Sequence, residues 1–81
     1  MHESHLFRNL LSYLDTEQQT SSKKIRKIRV TLSEFGGITP GHFLGHFRDA
    51  SHGTSWEKLD IEISRIPYGP EMEITKIYYA H

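Results

Sequence analysis

Residues 24–40 read KIRKIRVTLSEFGGITP, and this stretch decides the fold. Apolar and polar residues alternate over 28–32, which is typical of a strand with one buried face. Gly36-Gly37 interrupts the alternation, and Thr39-Pro40 then supplies a capping hydroxyl and a proline suited to the first helical position. The stretch therefore predicts a strand over about 24–34, a turn, and the start of a helix.

Helical periodicity appears on both sides of this strand. Leucines at helical spacing predict a first helix from about Ser4 to Leu14, and the polar residues 15–22 predict a connector. The second helix is expected to run from Pro40 to Ser51, before a left-handed stop at Gly53. It should bury one apolar stripe, made of Phe43, Leu44, Phe47 and Ala50.

Period-two patterning returns near the end of the chain, over 59–63 and 72–79, although the spacing from Ile74 to Ile77 breaks strict alternation. A turn rich in proline and glycine separates the two runs, so the second and third strands are expected to form a hairpin. The order helix, strand, helix, strand, strand predicts a single α+β domain over residues 1–81. Both helices should pack on one face of a three-stranded sheet.

Composition excludes several classes of protein. The chain has 81 residues and no cysteine, so neither a disulfide scaffold nor a thiolate metal cage is available. The start of the sequence lacks the pattern of a secretory signal, and no run approaches the length of a membrane span, so we expect a cytoplasmic protein with no membrane partner. Ten basic and ten acidic residues cancel, and this neutrality favours association into a homodimer.

The first residues of the sequence carry the donors of a metal chelate. An imidazole at His2, the amine of Met1 and neighbouring peptide nitrogens can close small chelate rings around one cation. A nitrogen-rich and nearly planar donor set suits Ni(II) or Cu(II) better than the tetrahedral preference of Zn(II). The bulk of His2 should also disfavour removal of Met1, which leaves the amine in place.

The opening Met1-His2-Glu3, followed by a leucine-striped helix, resembles the HypA/HybF family of accessory proteins that incorporate nickel into hydrogenase and urease. The resemblance spans most of the chain, and it rests on the order and spacing of several short motifs. These are Ile25, Ile28, Val30 and Leu32 with Glu34 after them, Gly37-Ile38-Thr39-Pro40, Phe43-Leu44, Phe47, Gly53-Thr54, Leu59-Asp60-Ile61-Glu62-Ile63 and Ile66-Pro67.

The resemblance implies a square-planar nickel site at Met1, His2 and Glu3, built from the terminal amine, the imidazole and adjacent backbone nitrogens. It also implies a non-enzymatic metallochaperone that delivers Ni(II) to a maturation GTPase and on to a nickel-enzyme precursor such as that of [NiFe]-hydrogenase. The alternative is a protein-interaction or regulatory module that has the same fold but does not bind or transfer nickel.

One departure from the family pattern concerns zinc. After the proline equivalent to Pro67, family members normally carry an inserted zinc domain with two CxxC pairs. This sequence has a short turn near 67–71 instead, and then a segment similar to the returning strand. We therefore expect a nickel-binding domain without structural zinc.

The remaining histidines offer weaker candidates. His5 could add a ligand to the terminal site, although a solvated position in the first turn explains it more simply. His42 and His46 are four residues apart, a spacing that lets two imidazoles on one helix reach one cation, yet no third ligand is evident and exposed, non-ligating side chains are favoured. His52 suits a helix C-terminus, and His81 ends the sequence.

The basic run over 23–29 raises the question of nucleic-acid binding. Its alternation is typical of an edge strand with a charged outer face, and no aromatic residue is interleaved for base stacking, so no nucleic-acid partner is expected. No catalytic motif is recognisable either: the chain has no cysteine nucleophile, no nucleophile elbow and no phosphate-binding loop.

Overall fold

The computed structural model describes residues 2–80 of the chain, with side chains from residue 5 onward. These residues form two helices and three strands, and the predicted order and α+β class are confirmed. The elements are α1 His2–Ser21, β1 Ile25–Ser33, α2 Pro40–Ser51, β2 Asp60–Ile66 and β3 Met72–Tyr79.

The sheet places β1 in the centre, with β2 on one side and β3 on the other. β1 pairs with β2 in parallel, with Ile28 opposite Ile61, and with β3 in antiparallel, with Ile28 opposite Ile77. The predicted hairpin between β2 and β3 is therefore wrong, and so is the placement of β1 at an edge. A link of five residues, 67–71, can cross the end of β1 because two strand spacings amount to only about 10 Å.

α1 is longer than the leucine stripe indicated, and the polar connector predicted over 15–22 is helical up to Ser21. The buried stripe that reaches Leu14 continues with Gln18 and Ser21, which are polar but partly buried. Two hydrogen bonds to residues outside the helix hold this half of α1. The indole of Trp56 donates to Asp15 over 2.8 Å, and the Gln18 side chain accepts from the amide of Ile25 over 2.8 Å.

Both helices pack on one face of the sheet, as predicted, and the core lies between these layers. In α2 the stripe that faces the core consists of Phe43, Phe47 and Ser51, at intervals of one helical turn. Ala50 was expected in this stripe but is exposed, because it lies to one side of it and borders a cleft against Leu11. The buried apolar residues are Phe7, Leu10, Leu14, Ile25, Ile28, Val30, Leu32, Ile38, Phe43, Phe47 and Trp56.

Neither helix in residues 2–80 has the length and apolar character needed to cross a membrane.

Candidate metal centre

The predicted terminal chelate lies only partly within the described residues. α1 begins at His2, so the backbone of His2 and Glu3 belongs to the first turn of a helix. Amide N–H groups in a first turn have no acceptor within the helix. Met1 and the side chains of His2 and Glu3 lie outside the described part, so the predicted ligand set stays a prediction.

The two helices run in the same direction, which brings their first turns to the same end of the molecule. Phe7 of α1 contacts Phe43 and His46 of α2, with ring centres 5.1 and 5.7 Å apart. Further along, Leu11 and Ala50 line one cleft.

His42 and His46 lie next to each other on the surface of α2. Their ring centres are 4.5 Å apart and the ring planes are inclined by 58°. His42 is exposed, whereas His46 is partly buried because its ring stacks on Phe7. The structure therefore brings together two of the histidines that the sequence singled out.

The other described histidines lie elsewhere. His5 is exposed and lies about 200° around α1 from Phe7, which is the residue that faces α2, so the structure does not bring His5 to the pair on α2. His52 caps the C-terminus of α2, and its Nδ1 lies 2.9 Å from a carboxylate oxygen of Glu57. His81 lies outside the described residues.

The face of the sheet opposite the helices is charged. Glu62 on β2 accepts from Lys27 and from Arg29 on β1, each over 3.0 Å. The hydrogen bond from Lys27 lowers the pKa of the Glu62 carboxyl below its usual range, and Arg29 lowers it further. The same hydrogen bond raises the pKa of the Lys27 ammonium group. This carboxylate therefore links two strands that are distant in sequence.

Tyr78 of β3 lies among the cations of this face. The Lys76, Lys27 and Arg26 charges lie 4.8, 5.2 and 5.6 Å from the centre of its ring, and its hydroxyl accepts from Arg29 over 3.0 Å. An aromatic residue thus does lie within the basic run in space, because β3 pairs with β1. Tyr78 is distant from the basic run in the sequence, so spacing alone does not reveal it, and the expected absence of a nucleic-acid partner stays a prediction.

Two loops at the C-terminal end of β1 carry an exposed aromatic pair, Phe35 and Tyr68. Phe35 follows β1, Tyr68 follows β2, and their rings stack with centres 6.0 Å apart. The two residues are 78% and 83% exposed, which is unusual for large aromatic side chains. They become neighbours because β1 and β2 are parallel and end at the same edge of the sheet.

No group of three histidine, aspartate or glutamate side chains suited to holding a metal ion occurs among the residues that the structure describes. No family model and no curated protein matches this chain. The candidate centre therefore depends on the residues themselves: the first turn of α1 and the histidine pair of α2.

Proposed function

We propose that the protein is a non-enzymatic, nickel-binding metallochaperone-like domain that takes part in the maturation of a nickel enzyme such as [NiFe]-hydrogenase. The observation that carries this proposal is the start of α1 at His2. It leaves the amides of the first turn without helical acceptors, next to an imidazole in the sequence. The resemblance of the sequence to the HypA/HybF family supports the same function.

The chemistry of the proposed site follows from its donors. The proposed ligands are all nitrogen donors: the amine of Met1, the imidazole of His2 and deprotonated peptide nitrogens. In a square-planar arrangement they give a strong ligand field, which favours low-spin Ni(II). Peptide nitrogens bind only after losing a proton, so binding releases protons and strengthens as the pH rises. The Glu3 carboxylate can orient the site from outside the ligand set. A chain terminus exchanges its ligands one at a time, which suits transfer to a maturation GTPase and a nickel-enzyme precursor.

Titration with Ni(II) at mildly alkaline pH tests the proposal, using untagged protein that begins at Met1. We expect the yellow absorption of planar, low-spin nickel to saturate at one ion per chain. His2→Ala should abolish this absorption, and so should residues added before Met1, because both remove ligands without touching the core. His52→Ala is the matched control and should leave the absorption unchanged, since His52 lies at the far end of α2.

Two results would contradict the proposal. One is the absence of planar nickel in the unmodified protein, and the other is absorption that survives both His2→Ala and the added residues. Uptake of Ni(II) without the yellow band would not support the proposal, because two imidazoles and water ligands give a six-coordinate ion instead.

A protein-interaction module is the second candidate function, and the exposed pair Phe35 and Tyr68 favours it. Large aromatic residues dominate binding energy at protein interfaces when a partner covers them. Under this function, His2→Ala would leave maturation of the nickel enzyme unchanged. Alanine at both aromatic positions would weaken binding of the partner protein, whether or not nickel is present.

A further inference from the structure

We propose that His42 and His46 of α2 bind one divalent ion of a late first-row transition metal, for which Ni(II) is the probe, as a bidentate imidazole site. This site is distinct from the terminal chelate and does not need the amine of Met1. It is built from side chains that the structure describes, on a single helix.

The distance between the two rings fits a shared ion. With metal–nitrogen bonds of about 2.1 Å, and each ring centre about 1.1 Å beyond its nitrogen, imidazoles at right angles on one ion have centres about 4.5 Å apart. The rings of His42 and His46 are 4.5 Å apart before any ion is bound. The separation of the two rings is therefore compatible with one shared ion.

The surrounding fold orders the backbone of His42 and the ring of His46. Thr39 caps α2 and its hydroxyl accepts from the amide of His42 over 3.2 Å, which fixes the first turn. The ring of His46 stacks on Phe7, which is only 1% exposed and belongs to the core. Ligands that are already ordered lose less conformational entropy when the ion binds.

The surroundings leave room for the other ligands of the ion. A methyl group at Gly41 or Gly45 would meet no described atom within 4 Å apart from the adjacent residues and the nearby backbone of α2, so no other element crowds these two positions. The charged residues that line the cleft next to His46 are Arg8 and Asp49, whose charges oppose each other.

The position of the pair suggests a use. Since α1 and α2 run in the same direction and His46 contacts Phe7, the pair lies at the end of the two helices where α1 begins. It could accept an ion from the terminal chelate, or deliver one to it, by exchange of one ligand at a time. This use rests on the proposed function, whereas the binding itself does not.

The test uses protein in which the terminal chelate is disabled by His2→Ala together with a histidine-free extension before Met1. Ni(II) is added while the histidine ring protons are followed by NMR. We expect paramagnetic broadening first at His42 and His46, with saturation at one ion per chain. His46→Ala should weaken this binding by about tenfold or more, because a single imidazole loses the gain from chelation.

Control variants separate loss of a ligand from loss of the fold. His42→Ala should have the same effect as His46→Ala, and because His42 is exposed its removal should not disturb the core. His52→Ala should leave the binding unchanged. Equal broadening at His5 and His52, or unchanged affinity in both His42→Ala and His46→Ala, would overturn the proposal.

The two proposals can fail separately. Broadening at the pair, without a yellow band in the unmodified protein, would reject the terminal chelate and keep the pair. A yellow band in the unmodified protein, without selective broadening in the blocked protein, would reject the pair and keep the terminal chelate.

Discussion

At the scale of single residues, Glu62 shows how the tertiary structure gives one side chain a role that its sequence neighbours do not reveal. In the sequence, Asp60 and Glu62 look alike, as the polar face of a strand. In the structure, Glu62 binds both Lys27 and Arg29 of the central strand. Its two partners are more than thirty residues away, so only the pairing of β1 with β2 brings them together.

We predict that Lys27→Met raises the pKa of Glu62, measured by NMR titration of its carboxyl carbon, because the largest cause of the lowered pKa is removed. A lowered pKa in the folded state means that Glu62 contributes stability above its unfolded pKa. That contribution is lost as the pH falls through the folded pKa. The raised pKa of Lys27 means that Lys27 contributes stability at pH values below its unfolded pKa. That contribution is lost as the pH rises through the pKa of Lys27 in the folded state.

Lys58→Met is the matched control for this measurement, since Lys58 lies just before β2 rather than against Glu62. It removes the same charge and should leave the titration of Glu62 close to that of the unmodified protein. Equal shifts in both variants would mean that overall charge, rather than the contact with Lys27, sets the pKa.

At the scale of elements, two register shifts explain where the period-two patterns failed. Arg29 pairs with Lys76 and Val30 pairs with Ile74, so the residue between them, Thr75, is an extra residue on β3. A bulge of this kind lets two residues three apart point to the same side, as Ile74 and Ile77 do. A second shift at Arg26 does the same for Ile25 and Ile28, which are both buried.

The end of α1 is set by Ser22. Its φ is 59°, in the left-handed region, and its amide donates to the carbonyl of Gln18 over 3.1 Å. This is the position after a helix that glycine favours, because a side chain is strained there. The polar sequence gave no glycine to mark the stop, which is one reason why the extent of α1 was underestimated.

We predict that Ser22→Gly stabilises the protein by about 0.5–1 kcal/mol, since it relieves the strain of a positive φ. Urea unfolding followed by circular dichroism measures the change. Thr20→Gly, inside the last turn of α1, should instead destabilise the protein by about 0.3 kcal/mol, because glycine is a poorer residue within a helix than threonine. A loss of stability in Ser22→Gly would contradict the assigned end of the helix.

At the scale of the whole molecule, the central position of β1 organises everything else. The parallel pair β1 and β2 is joined through α2, and β3 closes the other side of β1. This arrangement sets the direction of α2 relative to α1, and hence the juxtaposition of their first turns. It also places the loops carrying Phe35 and Tyr68 at one edge.

We predict that hydrogen exchange distinguishes this sheet from the hairpin arrangement. Amides over 28–32 of β1 should all be protected, because a central strand has a partner on both sides. Protection in β2 and β3 should alternate, since every second amide of an edge strand points away from the sheet. Continuous protection in β2 or β3, with alternation in β1, would contradict the observed strand order.

The sequence by itself determined the type and order of the elements, the bounds of α2 and the side of β1 that is buried. These features depend on residues within one or two turns of each other, so the spacing of apolar side chains and the cap at Thr39 were enough. It also marked the donors at the start of the chain and the spacing of His42 and His46.

Only the tertiary structure decided the strand order, the length of α1 and the neighbours of each candidate ligand. The link between β2 and β3 is short enough for a hairpin, yet β1 separates the two strands. The second half of α1 is polar, and it is held by Trp56 and by the amide of Ile25 from other parts of the chain. These outcomes depend on contacts between distant segments, and local periodicity carries no information about which segments will meet.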